Sequence, residues 1–231
     1  MQKEVMYFAT RNIYENLLPS LKSLLKNGNV DRVWLLIEDS DIGFDLPGKV
    51  VCRNIRNWKR RIDPNSPNAG NRWTYMVMLK VMTCRMFPKM HRALILDVDT
   101  IVRGDLSPLW ELPMEDLYFY GAREPYWTDR YGRDYVNAGV LMLNLDKMRD
   151  GMADLVFAAM NTRKYTFVEQ DALNEICAGK FGIMDAAYNA GEWTEPPKSE
   201  IKIRHYMARR GKYLQEAEMQ QYAKMNWEEF F

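Results

Sequence analysis

The 231-residue chain predicts an α/β fold, a mixed sheet flanked by helices on both faces in a single domain. Short apolar runs of strand length alternate with longer stretches whose apolar residues recur every three or four positions. No internal repeat or low-complexity linker divides the chain. Apolar residues make up 47%, enough at this length for one substantial core.

Taken in order, residues 5–9 form an apolar strand that feeds a helix. Leu17, Leu18, Leu21, Leu24 and Leu25 share one face of that helix before Gly28 ends it. Residues 32–37 and 49–55 read as two strands separated by a Gly/Pro/Asp loop, and Tyr75, Leu79, Met82 and Met86 mark the next amphipathic helix. A strand over 92–97 follows. Residues 118–122 and 136–145 read as strands, 147–160 and 169–178 as helices, and 201–206 as a late strand. The tail, 215–231, reads as a helix docked by Tyr222, Trp227, Phe230 and Phe231.

Lys and Arg number 32 against 31 Asp and Glu, so the whole chain carries no bias toward nucleic acid or membrane. No apolar stretch approaches the ~20 residues of a membrane span, and residues 1–30 lack the order of a signal peptide, so a cytoplasmic protein is expected. Cys52, Cys84 and Cys177, widely spaced among apolar neighbours, fit reduced core thiols. The sixteen methionines read as core filling. Arg53, Arg56, Lys59, Arg60 and Arg61, interleaved with Trp58, form the one basic concentration. A solvated charged loop is the preferred reading there over a surface for nucleic acid or an anionic acceptor, and residues 63–70 beside it are expected to be mobile.

The chemistry concentrates where the strand at 92–97 ends. Asp97 and Asp99 are one residue apart, so a strand points both the same way at its carboxyl end, where open α/β sheets bind ligands. Two carboxylates this close repel unless a cation lies between them. Alone, the pair reads equally well as a cap and a solvated turn. In the same way Asn137 alone reads as a turn cap, Gln170 as a first-turn helix residue, His205 as a packed histidine, Tyr14 as core and Lys80 as a solvated position.

Together these segments resemble glycosyltransferase family 8, which includes glycogenin and bacterial galactosyltransferases. The resemblance is carried by Asp97-Val-Asp99-Thr-Ile-Val-Arg-Gly-Asp105, by Tyr135-Val-Asn137-Ala138-Gly139 through Asn144, and by Glu169-Gln170-Asp171 through Asn174, and it runs from residue 4 to about 213. It implies a GT-A fold, a UDP-sugar donor, a divalent ion and retention of anomeric configuration. On this pattern Asp97, Asp99 and His205 hold the metal, with Asp97 also facing the donor's ribose side. Mixed carboxylate and imidazole ligation favours Mn2+, with Mg2+ as the alternative. The resemblance further implies that Ala9, Thr10 and Tyr14 read the base and that Lys80 approaches the donor sugar and phosphate. Val98, Ala138 and Gly139 would bring main chain to the donor, and Asn137, Glu169 and Gln170 would surround the transferred sugar.

Glu169 stands where the family usually has aspartate. The loop after His205 reads Tyr-Met-Ala208-Arg209-Arg210-Gly211-Lys212 instead of the usual glycine and lysine spacing, and Lys212 is the expected diphosphate contact. Residues 1–105 would form the nucleotide-binding part, 106–214 the sugar and acceptor part, and 215–231 the helical tail. Tyr126, Trp127 and Tyr131 are candidates for stacking on an acceptor sugar. The expected reaction is metal-dependent, retaining transfer of a hexose from UDP-glucose or UDP-galactose to an acceptor the sequence does not identify. Two rivals are a non-catalytic sugar-nucleotide-binding module and a haloacid-dehalogenase-type phosphatase. The second lacks its threonine, because Ile101 stands two residues after Asp99.

Overall fold

The computed structural model describes residues 2–70, 73–192, 196–207 and 212–231. Its main sheet has seven strands: β1 (Glu4–Ala9), β2 (Arg32–Ile37), β3 (Val50–Asn54), β4 (Arg92–Leu96), β6 (Phe119–Arg123), β7 (Val136–Asn144) and β8 (Phe181–Met184), in the order β3-β2-β1-β4-β7-β6-β8. The first four of that order run parallel, β7 is antiparallel to β4 and β6, and β8 is parallel to β6. The expected mixed sheet is therefore present. A second, two-stranded sheet joins β5 (Thr100–Val102) to β9 (Ile203–His205).

The strict alternation of β1 places the sheet between two cores. Val5, Tyr7 and Ala9 pack with Leu17, Leu21 and Leu24 of α1 (Tyr14–Asn27) on one face. Met6 and Phe8 face the other, under α2 (Met76–Leu79), α3 (Thr83–Met86), α6 (Ala153–Thr162) and α7 (Val168–Ile176). β7 is buried at all nine positions, which explains why it reads as a mostly apolar run. Cys84 and Cys177 lie buried in this core and Cys52 is half-buried, all as free thiols.

Several expectations are corrected. The strand expected over 92–97 stops at Leu96, so Asp97-Val98-Asp99 is a turn between β4 and β5. The helix marked by Tyr75 to Met86 is two four-residue α segments joined by a 3-10 turn at Lys80–Met82. The helix expected over 147–160 breaks at Asp150 and Gly151, whose φ of +100° lies in the region only glycine enters freely. The late strand shrinks to Ile203–His205. In the tail, α8 (Ala217–Lys224) and a 3-10 turn at Trp227–Phe230 replace one helix. Phe231 is 73% exposed, whereas Tyr222 is buried.

The segment after the basic loop, expected to be mobile, is pinned. Asn68 is fully buried and donates to the carbonyls of Met160 at 2.7 Å and Arg163 at 2.6 Å, while Ser66 donates to Met160 at 3.0 Å. The basic loop itself forms a 3-10 turn at Arg56–Arg61, with Lys59 over the Tyr75 ring and Arg61 over Trp58. Among the described residues, no helix is long and apolar enough to cross a membrane.

Candidate active site

Eight residues singled out in the sequence, Asp97, Asp99, Asn137, Ala138, Gly139, Glu169, Gln170 and His205, line one cavity of about 490 Å³. Three pairings bring them together. Antiparallel β4 and β7 meet with Leu96 opposite Val140, and the Asp97 N–H donates to the Gly139 carbonyl at 2.8 Å, which sets the carboxylate turn beside residues 137–139. The side chain of Asn174 in α7 donates to the Val136 carbonyl and accepts from its N–H, both at 2.8 Å, so Glu169 and Gln170 face the same space. Thr100 of β5 pairs with His205 of β9, and the Tyr206 N–H donates to the Asp99 carbonyl at 2.9 Å.

His205 Nε2 lies 3.1 Å from Asp99 Oδ1 and 3.9 Å from Asp97 Oδ2. The three potential ligand atoms lie within 4.8 Å of one another. Burial alone would lift the Asp99 carboxyl, but the imidazole beside it holds that group below the ordinary range. Burial alone would depress His205, and Asp99 raises it. Lys80 is buried, with Nζ 2.6 Å from Asp97 Oδ1 and 2.9 Å from Glu169 Oε1. Its burial is outweighed by those two carboxylates, which keep the ammonium charged, while burial lifts Glu169 against the pull of Lys80. Among the described residues, four carboxylates, Asp97, Asp99, Glu124 and Glu169, and one imidazole line the cavity, and the Lys80 ammonium is bonded to two of those carboxylates. That surplus of negative charge, with two oxygens and a nitrogen converging, fits a divalent cation.

Gly139 serves the imidazole directly: a Cβ there would stand 2.0 Å from His205 Cε1. Asn137 is a node. Its Nδ2 donates to Glu124 Oε2 and Gln170 Oε1, each at 3.1 Å, and its Oδ1 accepts from the Gly139 N–H at 2.8 Å. Gln170 Oε1 also accepts from the Ala138 N–H at 3.0 Å, and its Nε2 donates to Glu124 Oε2 at 3.0 Å and the Tyr135 hydroxyl at 3.1 Å.

Glu124 and Asn189 were not singled out in the sequence. Glu124 precedes Pro125 in an irregular stretch, and its buried carboxyl is raised by desolvation. Asn189 sits in the 3-10 turn Ala186–Asn189, which reads as loop. Trp73, Phe167 and Met207 also line the cavity without having been anticipated. Tyr126 and Trp127 of α4 (Pro125–Tyr131) line it as expected, whereas Tyr131 stacks on Trp127 from outside, 5.5 Å between centroids.

The remaining expected residues stand apart. Ala9 and Thr10 end β1, which runs parallel to β4 with Met6 opposite Ile95, so they lie near the carboxylate turn without lining the cavity. Tyr14 is 7% exposed, and its hydroxyl donates to Asp39 at 3.1 Å and accepts from the Glu38 N–H at 2.9 Å. Val98 packs between the core on the α1 face and a small cluster around Tyr213. Ala208, Arg209, Arg210 and Gly211 lie outside the described residues. Lys212 is exposed at the start of the next turn, and the neighbouring Tyr213 hydroxyl is raised by burial and by the charge of Asp99 and Asp97.

The same architecture occurs in solved structures. The galactosyltransferase LgtC, crystallised with donor and acceptor sugar analogs, superposes with a TM-score of 0.70 at 16% identity, covering 95% of each chain. The glycosyltransferase GlyE of Streptococcus pneumoniae gives 0.72 at 18% identity over all of this chain and 62% of its own. Mouse xyloside xylosyltransferase 1 gives 0.65 at 17% identity, covering 90% of this chain and 98% of its own. In sequence, a Haemophilus influenzae protein carried under the name "Putative glycosyltransferase" is 29% identical over 113 residues, 42% of this chain but only about a third (34%) of that protein's length. The profile described as glycosyl transferase family 8 matches residues 45–210, the span that contains Asp97, Asp99, Asn137, Gln170 and His205, and the chain belongs to that family.

Proposed function

We propose that the protein is a metal-dependent, retaining glycosyltransferase that moves glucose or galactose from its UDP conjugate to an acceptor hydroxyl. The observation that carries this reading is one cavity in which Asp97, Asp99 and His205 form one wall and Asn137, Glu169 and Gln170 another. Bound Mn2+ or Mg2+ would be held by the first trio and would supply positive charge for the departing diphosphate. Lys80, fixed between Asp97 and Glu169, orients both carboxylates, one toward the ion and one toward the sugar. Ala9, Thr10 and Tyr14 receive the base, with Val98 and Ala138 lending main chain to the donor and Lys212 reaching the diphosphate. This division assigns the nucleotide to residues 1–105 and sugar and acceptor to 106–214.

Gln170 Oε1 already accepts two hydrogen bonds and is a poor nucleophile, so a front-face course fits better than a covalent intermediate. The diphosphate leaves, the acceptor hydroxyl attacks from the same face, and the departing phosphate oxygen accepts its proton. Tyr126, Trp127 and Phe167 suit the apolar face of an acceptor sugar.

Incubating the protein with Mn2+ and a panel of nucleotide sugars should release UDP from UDP-glucose or UDP-galactose, with release abolished by EDTA and restored by the metal. Binding without release of any nucleotide would support a binding module instead. Product NMR showing inversion at the anomeric carbon would overturn the front-face course.

A further inference from the structure

We propose that Asn189 is the positioning residue of the metal trio, holding the His205 Nδ1–H so that Nε2, which faces Asp99 and Asp97, is the ring nitrogen offered to a metal. The inference rests on the metal reading of that trio. It follows from a chain of buried hydrogen bonds whose direction one backbone group sets. The Gly139 N–H can only donate, so the Asn137 atom 2.8 Å from it is the amide oxygen. That oxygen accepts a second bond at 3.0 Å, and the Asn189 atom facing it is therefore the amide nitrogen. The other end of the Asn189 amide is then oxygen, and it lies 2.8 Å from His205 Nδ1, which must carry the hydrogen. Nε2 is left facing Asp99 at 3.1 Å.

A second backbone donor checks the chain from its far side. The Ala138 N–H fixes Gln170 Oε1 as oxygen, and Asn137 Nδ2 donates to it, in agreement with Asn137 Oδ1 pointing the other way. Asn189 is 1% exposed and His205 3%, so water does not compete for these bonds. Ligating histidines commonly owe their orientation to such an acceptor on the other ring nitrogen. Here the acceptor is an amide whose nitrogen also holds Asn137. One residue thus ties the wall that would bind metal to the wall that would bind sugar.

The test uses the intact chain, whose two histidines, His91 and His205, give an imidazole NMR spectrum of only two spin systems. With 15N-labelled imidazoles, titration of the wild-type protein with Cd2+ as a diamagnetic probe should shift Nε2 of one ring while its Nδ1 keeps its proton. Cadmium on Nδ1, or loss of the Nδ1 proton, would overturn the proposal while leaving a metal site. If neither ring responds, the metal reading fails and takes this inference with it.

Mn2+ titration of the metal-free protein, followed by water-proton relaxation, adds a second arm. Asn189→Ala should weaken Mn2+ binding by roughly 10–100-fold. Asn189→Asp, which keeps an oxygen for Nδ1–H, should bind within a few-fold of wild type. Unchanged affinity in Asn189→Ala, measured on protein with wild-type circular dichroism, would refute the role.

Discussion

The cavity and the surroundings of Tyr14 are built on opposite principles. Around Asn137, Gln170, Glu124 and Lys80, every named polar group is buried and bonded to another, two of them through main-chain N–H groups at Ala138 and Gly139. Around Tyr14, itself buried, the partners by contrast reach the surface: exposed Arg11 pairs with Asp39, and half-buried Tyr75 donates to Glu38 at 2.9 Å. The first arrangement is rigid before any ligand arrives, because breaking it strands buried polar groups. The second includes the exposed Arg11–Asp39 pair, worth little in water, which a ligand can exchange. On the proposed function, precision would be concentrated at the sugar and metal, and adaptability at the base.

The largest effect should come from the buried wall. Lys80→Met leaves Asp97 and Glu169 without their common partner, and removing one member of a buried ion pair costs about 3–5 kcal/mol. Chemical denaturation should show that loss; a variant as stable as wild type would mean that the wall is hydrated. Next comes chemistry without unfolding. Asp99→Asn should retain the fold and lose about 3 kcal/mol of transition-state stabilisation in metal-dependent donor hydrolysis, a rate reduction of roughly two orders of magnitude. Near-normal turnover would remove Asp99 from the metal site.

The same contrast explains what the sequence made legible. The strands at β1, β2, β4 and β7 announce themselves because burial on both faces demands largely apolar runs. Asp97, Asn137, Gln170 and His205 are legible because polar residues interrupt or end such runs in a patterned order. β5 at three residues and β8 at four are too short to carry a period, and α4 is mostly aromatic and charged. Glu124 and Asn189 are single polar residues in irregular segments, and only the pairing of β6 with β7 and of β5 with β9 makes them part of the site. The masked periodicity at residues 147–152 is likewise a tertiary effect, since Gly151 turns the chain with a left-handed φ inside an otherwise helical pattern.

A smaller effect should distinguish the buried wall by its response to pH. Desolvation raises Glu124 in the folded protein above its unfolded value. A group raised in this way contributes stability that is full below the unfolded value, near pH 4, and is lost as pH rises through the folded one. Glu124→Gln has no such charge to bury. Its stability relative to wild type should therefore improve between pH 4 and pH 7, as followed by calorimetry at several pH values. A difference that stays flat would show that the carboxylate is as well solvated folded as unfolded.

The smallest effect belongs to the Tyr14 side, and it tests whether Tyr14 acts through its ring or its hydroxyl. The hydroxyl is committed to Asp39 and to the Glu38 N–H, and burial pushes its pKa up to about 12, so it is neutral throughout the working range. Tyr14→Phe keeps the ring and removes those two bonds, at a cost of about 1 kcal/mol, or roughly 2–4 °C in Tm for a chain of this size. If only the ring meets the base, KM for the UDP-sugar should stay within about twofold of wild type. A tenfold rise in KM with kcat unchanged would show that the hydroxyl abandons Asp39 for the donor. The Tyr14 side would then be a switch closed by the ligand, and the cavity alone would be preorganised.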